Sequence, residues 1–206
     1  MSALWPEHID VDDAILDAAE ECFSQNAVAD TTIEDIAAQA GVSRVTVYRR
    51  IGSRDELIVL VLLRITDRFL AILRPRLLAE PSADDALVLL VRETIRAVRR
   101  DDLRLLFSSA GRGAVGAPIE GALVSLSHRF GRIVGLIADQ FPSQLRPDID
   151  QNECGEWILR IIVSWVTFER ADRPRSAETD DETERWIRTF VLPGILADRT
   201  VTNRRR

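Results

Sequence analysis

Residues 32–57 read TIEDIAAQAGVSRVTVYRRIGSRDEL, from Thr32 to Leu57. The pattern is two short helices around a Gly41-Val42-Ser43 turn, then the capped start of a third. The stretch also holds positive charge that its surroundings lack. From Ser43 to Arg54 there are four arginines (Arg44, Arg49, Arg50, Arg54) and no acid. Residues 1–60 carry 12 acidic side chains against those 4 arginines, a net of −8. A basic island on an acidic body is a docking face for a polyanion, and the helix spacing points to double-stranded DNA.

Each helix boundary has its own local chemistry. Thr32 precedes an apolar series (Ile33, Ile36, Ala37, Ala40) and has Asp35 three residues on, a capping box with Asp in place of Glu. Gly41 supplies a left-handed turn that alanine would resist. Ser43 caps the second helix, and the small Ala37 and Ala40 allow the pair to cross closely. Ser53 and Glu56 form another capping box, with Arg54 placed where first-turn amides and its own charge would hold a phosphate.

Projected at 100° per residue, the second helix separates two faces. Val47 and Ile51 point to the core, with Ser43 near them. Val45, Thr46, Tyr48 and Arg49 point away, flanked by Arg44 and Arg50. Arg pairs bidentately with guanine, Val and Thr touch a thymine methyl, and Tyr donates to phosphate.

Composition narrows the alternatives. A chain of 206 residues with 46% hydrophobic content holds one large domain, or a small one beside a larger. The net charge of −6 excludes a generally basic binder. Any DNA contact is therefore local, because charges beyond roughly 8–10 Å are screened. Cys22 and Cys154 give no disulfide framework and no metal spacing, which suits a reducing, cytoplasmic setting. The start, MSALWPEHIDVDD, lacks the pattern of a signal peptide, and no apolar run reaches the ~18 residues of a membrane span. His8 and His128 are the only histidines. With no nucleophile motif or metal-ligand cluster, no enzyme, metal or cofactor is expected. Glu93, Asp101 and Asp102 lie among arginines and read as solvated pairs.

Helix signals dominate and no period-2 strand stands out, so the fold class is all-α. Helices are expected near 10–25, 33–40, 44–51, 54–79, 83–100, 102–112, 118–141, 151–171 and 181–197. The first has a stripe of Ile15, Ala18, Ala19, Cys22 and Phe23 and ends at Asn26, a residue suited to a left-handed cap. The acidic stretch Ser176–Glu184 reads as a solvated loop leading into the last helix. His128 falls opposite the apolar stripe of its helix and reads as a surface residue.

With Thr32, Ile36, Ala37, Ala40, Gly41, Val42, Ser43, Thr46, Tyr48, Ser53 and Leu57 in register, residues 11–60 closely resemble the DNA-binding module of TetR-family transcriptional regulators. The resemblance implies a helix-turn-helix domain over 1–58 and a larger helical effector-binding and dimerisation domain over 59–206. By position it makes Thr32 a phosphate contact, Arg44, Val45 and Thr46 base readers, and Tyr48 a phosphate-binding tyrosine. Arg50 stands for a usual histidine and Arg54 for a usual lysine, both as phosphate donors. Ile51 replaces a core phenylalanine. Glu34 is an acid at a position that approaches DNA. The family pattern further implies a homodimer on a palindromic operator and a small organic effector; a repressor is the first expectation, with an activator or an effector-independent DNA-binding regulator of the same fold as the alternatives.

The later helices have long apolar stripes: Ile119, Leu123, Leu126, Phe130, Ile133, Ile137 and Phe141; then Cys154, Ile158, Ile161, Ile162, Trp165 and Phe168; then Trp186, Phe190 and Ile195. Aromatic-bearing helices suit a dimer interface, for which Trp157, Ile161, Trp165, Trp186 and Phe190 are the candidates. A largely apolar effector pocket is expected to involve Phe107, Ser108, Arg112, Phe130 and Trp165.

Overall fold

Local signals set the N-terminal helices of the computed structural model, which describes residues 13–26, 28–99, 116–167 and 179–197. Three helices come first: α1 (Asp13–Gln25), α2 (Ile33–Gln39) and α3 (Arg44–Ile51). The α1 stripe of Ile15, Ala18, Ala19, Cys22 and Phe23 is buried in one core with Ile33, Ile36, Ala37 and Val47. Asn26 does not take the expected left-handed cap, since Ser143 is the one described non-glycine residue at positive φ. The Asn26 amide instead extends the α1 ladder by donating to the Cys22 carbonyl at 3.0 Å.

The long helix α4 (Arg54–Leu78) carries the chain out of this module, so the expected boundary at 58/59 falls inside a continuous helix. It runs through Pro75, whose missing amide hydrogen faces the exposed Ala71 carbonyl near the helix end. Arg64 of α4 pairs with Asp17 and Glu20 of α1, and Arg68 also pairs with Glu20. These pairs hold α1 along the first half of α4.

Helix α5 (Ala83–Arg99) packs on α4 and on the two helices that follow, α6 (Gly116–Gln140) and α7 (Gln151–Thr167), which form a hairpin. The expected helix at 102–112 lies outside the described residues. Glycines set how closely α6 and α7 cross. A Cβ on Gly155 would lie 2.3 Å from the Ser127 carbonyl oxygen and 2.4 Å from the Gly131 amide nitrogen. Backbone meets backbone here, and no rotamer change relieves the clash. Gly155→Ala is therefore expected to force the helices apart at a cost of about 1–3 kcal/mol, read as a lower midpoint in thermal or urea unfolding.

The last helix departs from a plain α-helix. Asp180–Trp186 (α8) continues as a π segment, Ile187–Val191, and a 3₁₀ turn, Leu192–Gly194. Pro193 has no amide to continue the i→i−4 ladder, which accounts for the change of winding. Of the acidic residues expected as a loop, Asp180, Asp181 and Glu182 are instead the first turn of α8, while residues 176–178 lie outside the described residues. Thr179 and Glu182 form a capping box, and Asp180–Glu182 sit where the helix dipole favours negative charge. Glu93 is also not the solvated residue expected: it lies largely buried on α5 beside Arg76, Arg92 and Arg96.

Candidate nucleic-acid interface

The N-terminal module presents α3 outward. Thr32 caps α2 by accepting from the Asp35 amide at 3.2 Å, while the Asp35 carboxylate takes the Thr32 amide at 2.9 Å. The Thr32 hydroxyl donates to the same carboxylate, and this bond is the main reason the Asp35 pKa falls below the usual carboxylate value. Gly41 follows at φ +66°, the left-handed value the turn requires. Ser43 then caps α3 through the Thr46 amide at 3.1 Å. The far end of α3 closes on Gly52 at φ +98°, a second left-handed glycine that the sequence reading did not single out. The Ser53–Glu56 box opens α4, and the Ser53 amide lowers the Glu56 pKa.

This framework divides α3 as its periodicity predicts. Val47 and Ile51 are buried, while Val45 is 74% and Tyr48 42% exposed. Arg44, Arg49 and Arg50 are exposed as well, and Thr46 is half-buried with its hydroxyl 2.8 Å from that of Ser43. A large exposed apolar side chain such as Val45, flanked by cations, gives the α3 face both shape and charge.

Three side chains at the front of this face are not independent. Arg44 pairs with Glu34 across the turn and donates to the Tyr48 hydroxyl at 3.3 Å. Its guanidinium carbon also lies 5.2 Å from the Tyr48 ring centroid. The Tyr48 hydrogen bond, then the Glu34 charge, raise the Arg44 pKa above its usual value.

Arg54 is placed differently from the expectation of a phosphate hand. Its Nε donates to the Thr31 carbonyl at 3.1 Å and its Nη2 to the Val28 carbonyl. Both acceptors belong to buried residues of the α1–α2 loop. The guanidinium thus ties the start of α4 to the segment that enters α2.

The expected effector residues divide. Phe107, Ser108 and Arg112 lie outside the described residues. Phe130 is buried on α6. Trp165 packs edge-to-face on Trp186, with ring centroids 4.3 Å apart, and Trp186 meets Phe190 at 5.9 Å. Gly131 abuts Asn152, and Gly155 abuts Gly131, so Phe130 sits near Gly155. Trp165 lies ten residues further along α7, roughly 15 Å at 1.5 Å per residue. Elsewhere, a cleft of about 650 Å³ opens between the ends of α6 and α7, lined by Val134, Ala138, Phe141, Leu145, Ile149 and Cys154 among others. Of the described expected residues, neither Phe130 nor Trp165 lines it. Burial pushes the Cys154 thiol up to about 11, leaving it protonated and unreactive at neutral pH. His128 is exposed on α6, as its helical angle predicts.

Comparison with known proteins agrees with this geometry. Residues 15–61 match the family model described as bacterial regulatory proteins, tetR family. The chain is 27% identical over 183 residues to an uncharacterized HTH-type transcriptional regulator of Mycobacterium tuberculosis, covering 88% of this chain and 83% of the relative. The fold is similar to that of the TetR-family repressor AlkX from a Dietzia strain, implicated in biodegradation of n-alkanes. That match has a TM-score of 0.60 at 21% identity over 88% of this chain and 92% of the other. It is also similar to the transcriptional regulator FadR from Bacillus subtilis, solved with stearoyl-CoA. There the TM-score is 0.51 at 15% identity over 86% of this chain and 97% of the other. The all-α fold, the capped helix-turn-helix and these matches agree, and residues 15–61 carry the helix-turn-helix module of the bacterial tetR family of regulatory proteins.

Proposed function

We propose that the protein is a ligand-responsive repressor that binds a palindromic operator as a homodimer and is released by a small, largely apolar organic effector. The observation that carries the DNA side of this reading is the division of α3. Val47 and Ile51 anchor it, while Arg44, Val45, Tyr48, Arg49 and Arg50 stand exposed on an otherwise acidic module. Arg44, Val45 and Thr46 are assigned to base edges. Thr32, Ser43, Tyr48, Arg49 and Arg50 are assigned to the phosphate backbone, with the Ser43 hydroxyl also holding the helix start.

Support for an apolar effector comes from the apolar lining of the bundle and from FadR, a protein of similar fold solved with stearoyl-CoA. The repressor role follows AlkX, a repressor of similar fold. In this mechanism the effector binds two conformations unequally and so shifts their populations. Helix α4 transmits the shift, because its first turn is tied to the α1–α2 loop through Arg54 and its Arg64 and Arg68 hold α1.

Selection of bound sequences from random duplexes with the purified protein tests the reading. A two-fold symmetric site should emerge, and log affinity for it should fall linearly with log salt. Arg44→Ala should cost about tenfold or more on the selected site and relax preference at one base pair of each half-site. Recovery of no sequence preference and no salt dependence would refute DNA binding. Unchanged operator affinity across a library of apolar compounds, with no shift in Trp fluorescence, would refute the effector.

A further inference from the structure

Glu34 makes no capping bond in its own helix, where its charge adds only the general preference of a first turn for acids. The capping box of α2 is completed by Asp35, and Glu34 is an exposed second residue of the first turn. Its carboxylate reaches over the turn to Arg44, the first residue of α3. Both side chains are more than half exposed, at 57% for Arg44 and 54% for Glu34. Arg44 at the same time donates to the Tyr48 hydroxyl. In the free protein, therefore, a cation assigned to base reading is already occupied by an anion and a hydroxyl from its own module.

A carboxylate offers a guanidinium two acceptors side by side. Guanine offers the same with O6 and N7, and a phosphate with two of its oxygens. Glu34 thus presents to Arg44 the chemistry that DNA would present. We propose that Glu34 is an internal competitor for DNA, occupying Arg44 until a base edge displaces it and so setting operator affinity through Arg44. This rests on the DNA-binding reading above and goes beyond it by giving an acid on the docking face a role.

The pair is solvent-exposed, and such pairs exchange readily, so Glu34 tunes affinity and does not block binding. A second effect must be separated from competition. Any carboxylate near a polyanion repels it, with no need of Arg44.

A double-mutant cycle makes the separation. Operator affinity is measured for wild type, Glu34→Gln, Arg44→Ala and the double variant, at several salt concentrations, with thermal melts confirming that each is folded. Glu34→Gln should tighten binding about three- to fivefold, the range set by an exposed ion pair. In the Arg44→Ala background the same change should have almost no effect. Glu34→Asp keeps the first-turn charge that favours α2 but draws the carboxylate back from Arg44, and should also tighten binding. An equal gain from Glu34→Gln with and without Arg44 would show general repulsion and overturn the proposal. Weaker binding by Glu34→Gln would show that Glu34 positions Arg44 for DNA, and would also overturn it. A wild type that binds no DNA at any salt would remove the underlying reading, an outcome distinct from a cycle without coupling.

Discussion

Arg54→Gln is expected to destabilise the protein by about 3 kcal/mol, because two charge-assisted hydrogen bonds to buried carbonyls are lost together. The acceptors are the carbonyls of Thr31 and Val28, whose residues are 3% and 2% exposed. Neither carbonyl gains a substitute donor from glutamine of comparable reach. For a chain of this length the melting temperature should fall by roughly 6–12 °C. Arg54→Lys distinguishes this structural role from a phosphate contact. A lysine ammonium keeps the charge, so a phosphate hand would survive the change with affinity near wild type. It cannot span two carbonyls with a planar fork, so a structural tie would lose about half its worth. Below the melting transition, both variants should leave the slope of log affinity against log salt unchanged, since no phosphate contact is removed. A slope lower by about one unit, with an unchanged melt, would instead place Arg54 on the DNA.

The contrast between Arg54 and its neighbours shows what was legible in the sequence. The capping boxes at Thr32 and Ser53, the Gly41 turn and the burial of Val47 and Ile51 all arise within a few residues, where spacing alone determines geometry. Arg54 was read from its local position at a helix start. Its partners lie 23 and 26 residues earlier, and only the packing of α1, α2 and α4 brings them together. Glu34 and Arg44 are ten positions apart, a pairing that depends on how the turn orients two helices. Glu93 failed as a solvated acid for the same kind of reason, since Arg76 reaches it from α4. The apolar stripes located the core helices, but a stripe does not say which of its residues face a cavity or a second copy. The cleft beside Cys154 depends on the connection between α6 and α7, where Ala83 donates to Gln144 and Arg146 donates to the Ile195 carbonyl. None of those pairings has a sequence period.

The aromatic residues of α7 and α8 give the last expectation. Trp157, Ile161 and Trp165 recur at four-residue intervals along one line of α7, and Trp186 and Phe190 do so on the last helix. The contact between Trp165 and Trp186 sets the two lines side by side. Yet Trp157 is 45% and Phe190 64% exposed, an arrangement that leaves large apolar surface in water. A second copy applied through a two-fold axis would bury this surface against itself, and central aromatics carry most of the energy in such interfaces. The combined substitution Trp157→Arg and Phe190→Arg removes no buried side chain, so each protomer should fold and melt much as before. The dimer dissociation constant, from sedimentation equilibrium, should rise at least a hundredfold, equivalent to roughly 2.8 kcal/mol. Ile72→Arg is the control: Ile72 is 73% exposed on α4, outside the aromatic lines of the last two helices, and its replacement tests whether the loss is specific to them, with the dimer expected to stay intact. On DNA the double variant should lose its preference for the two-fold site over an isolated half-site, since two recognition helices no longer arrive together. A double variant that remains dimeric would place the interface elsewhere on the surface and leave the aromatic face without its partner copy.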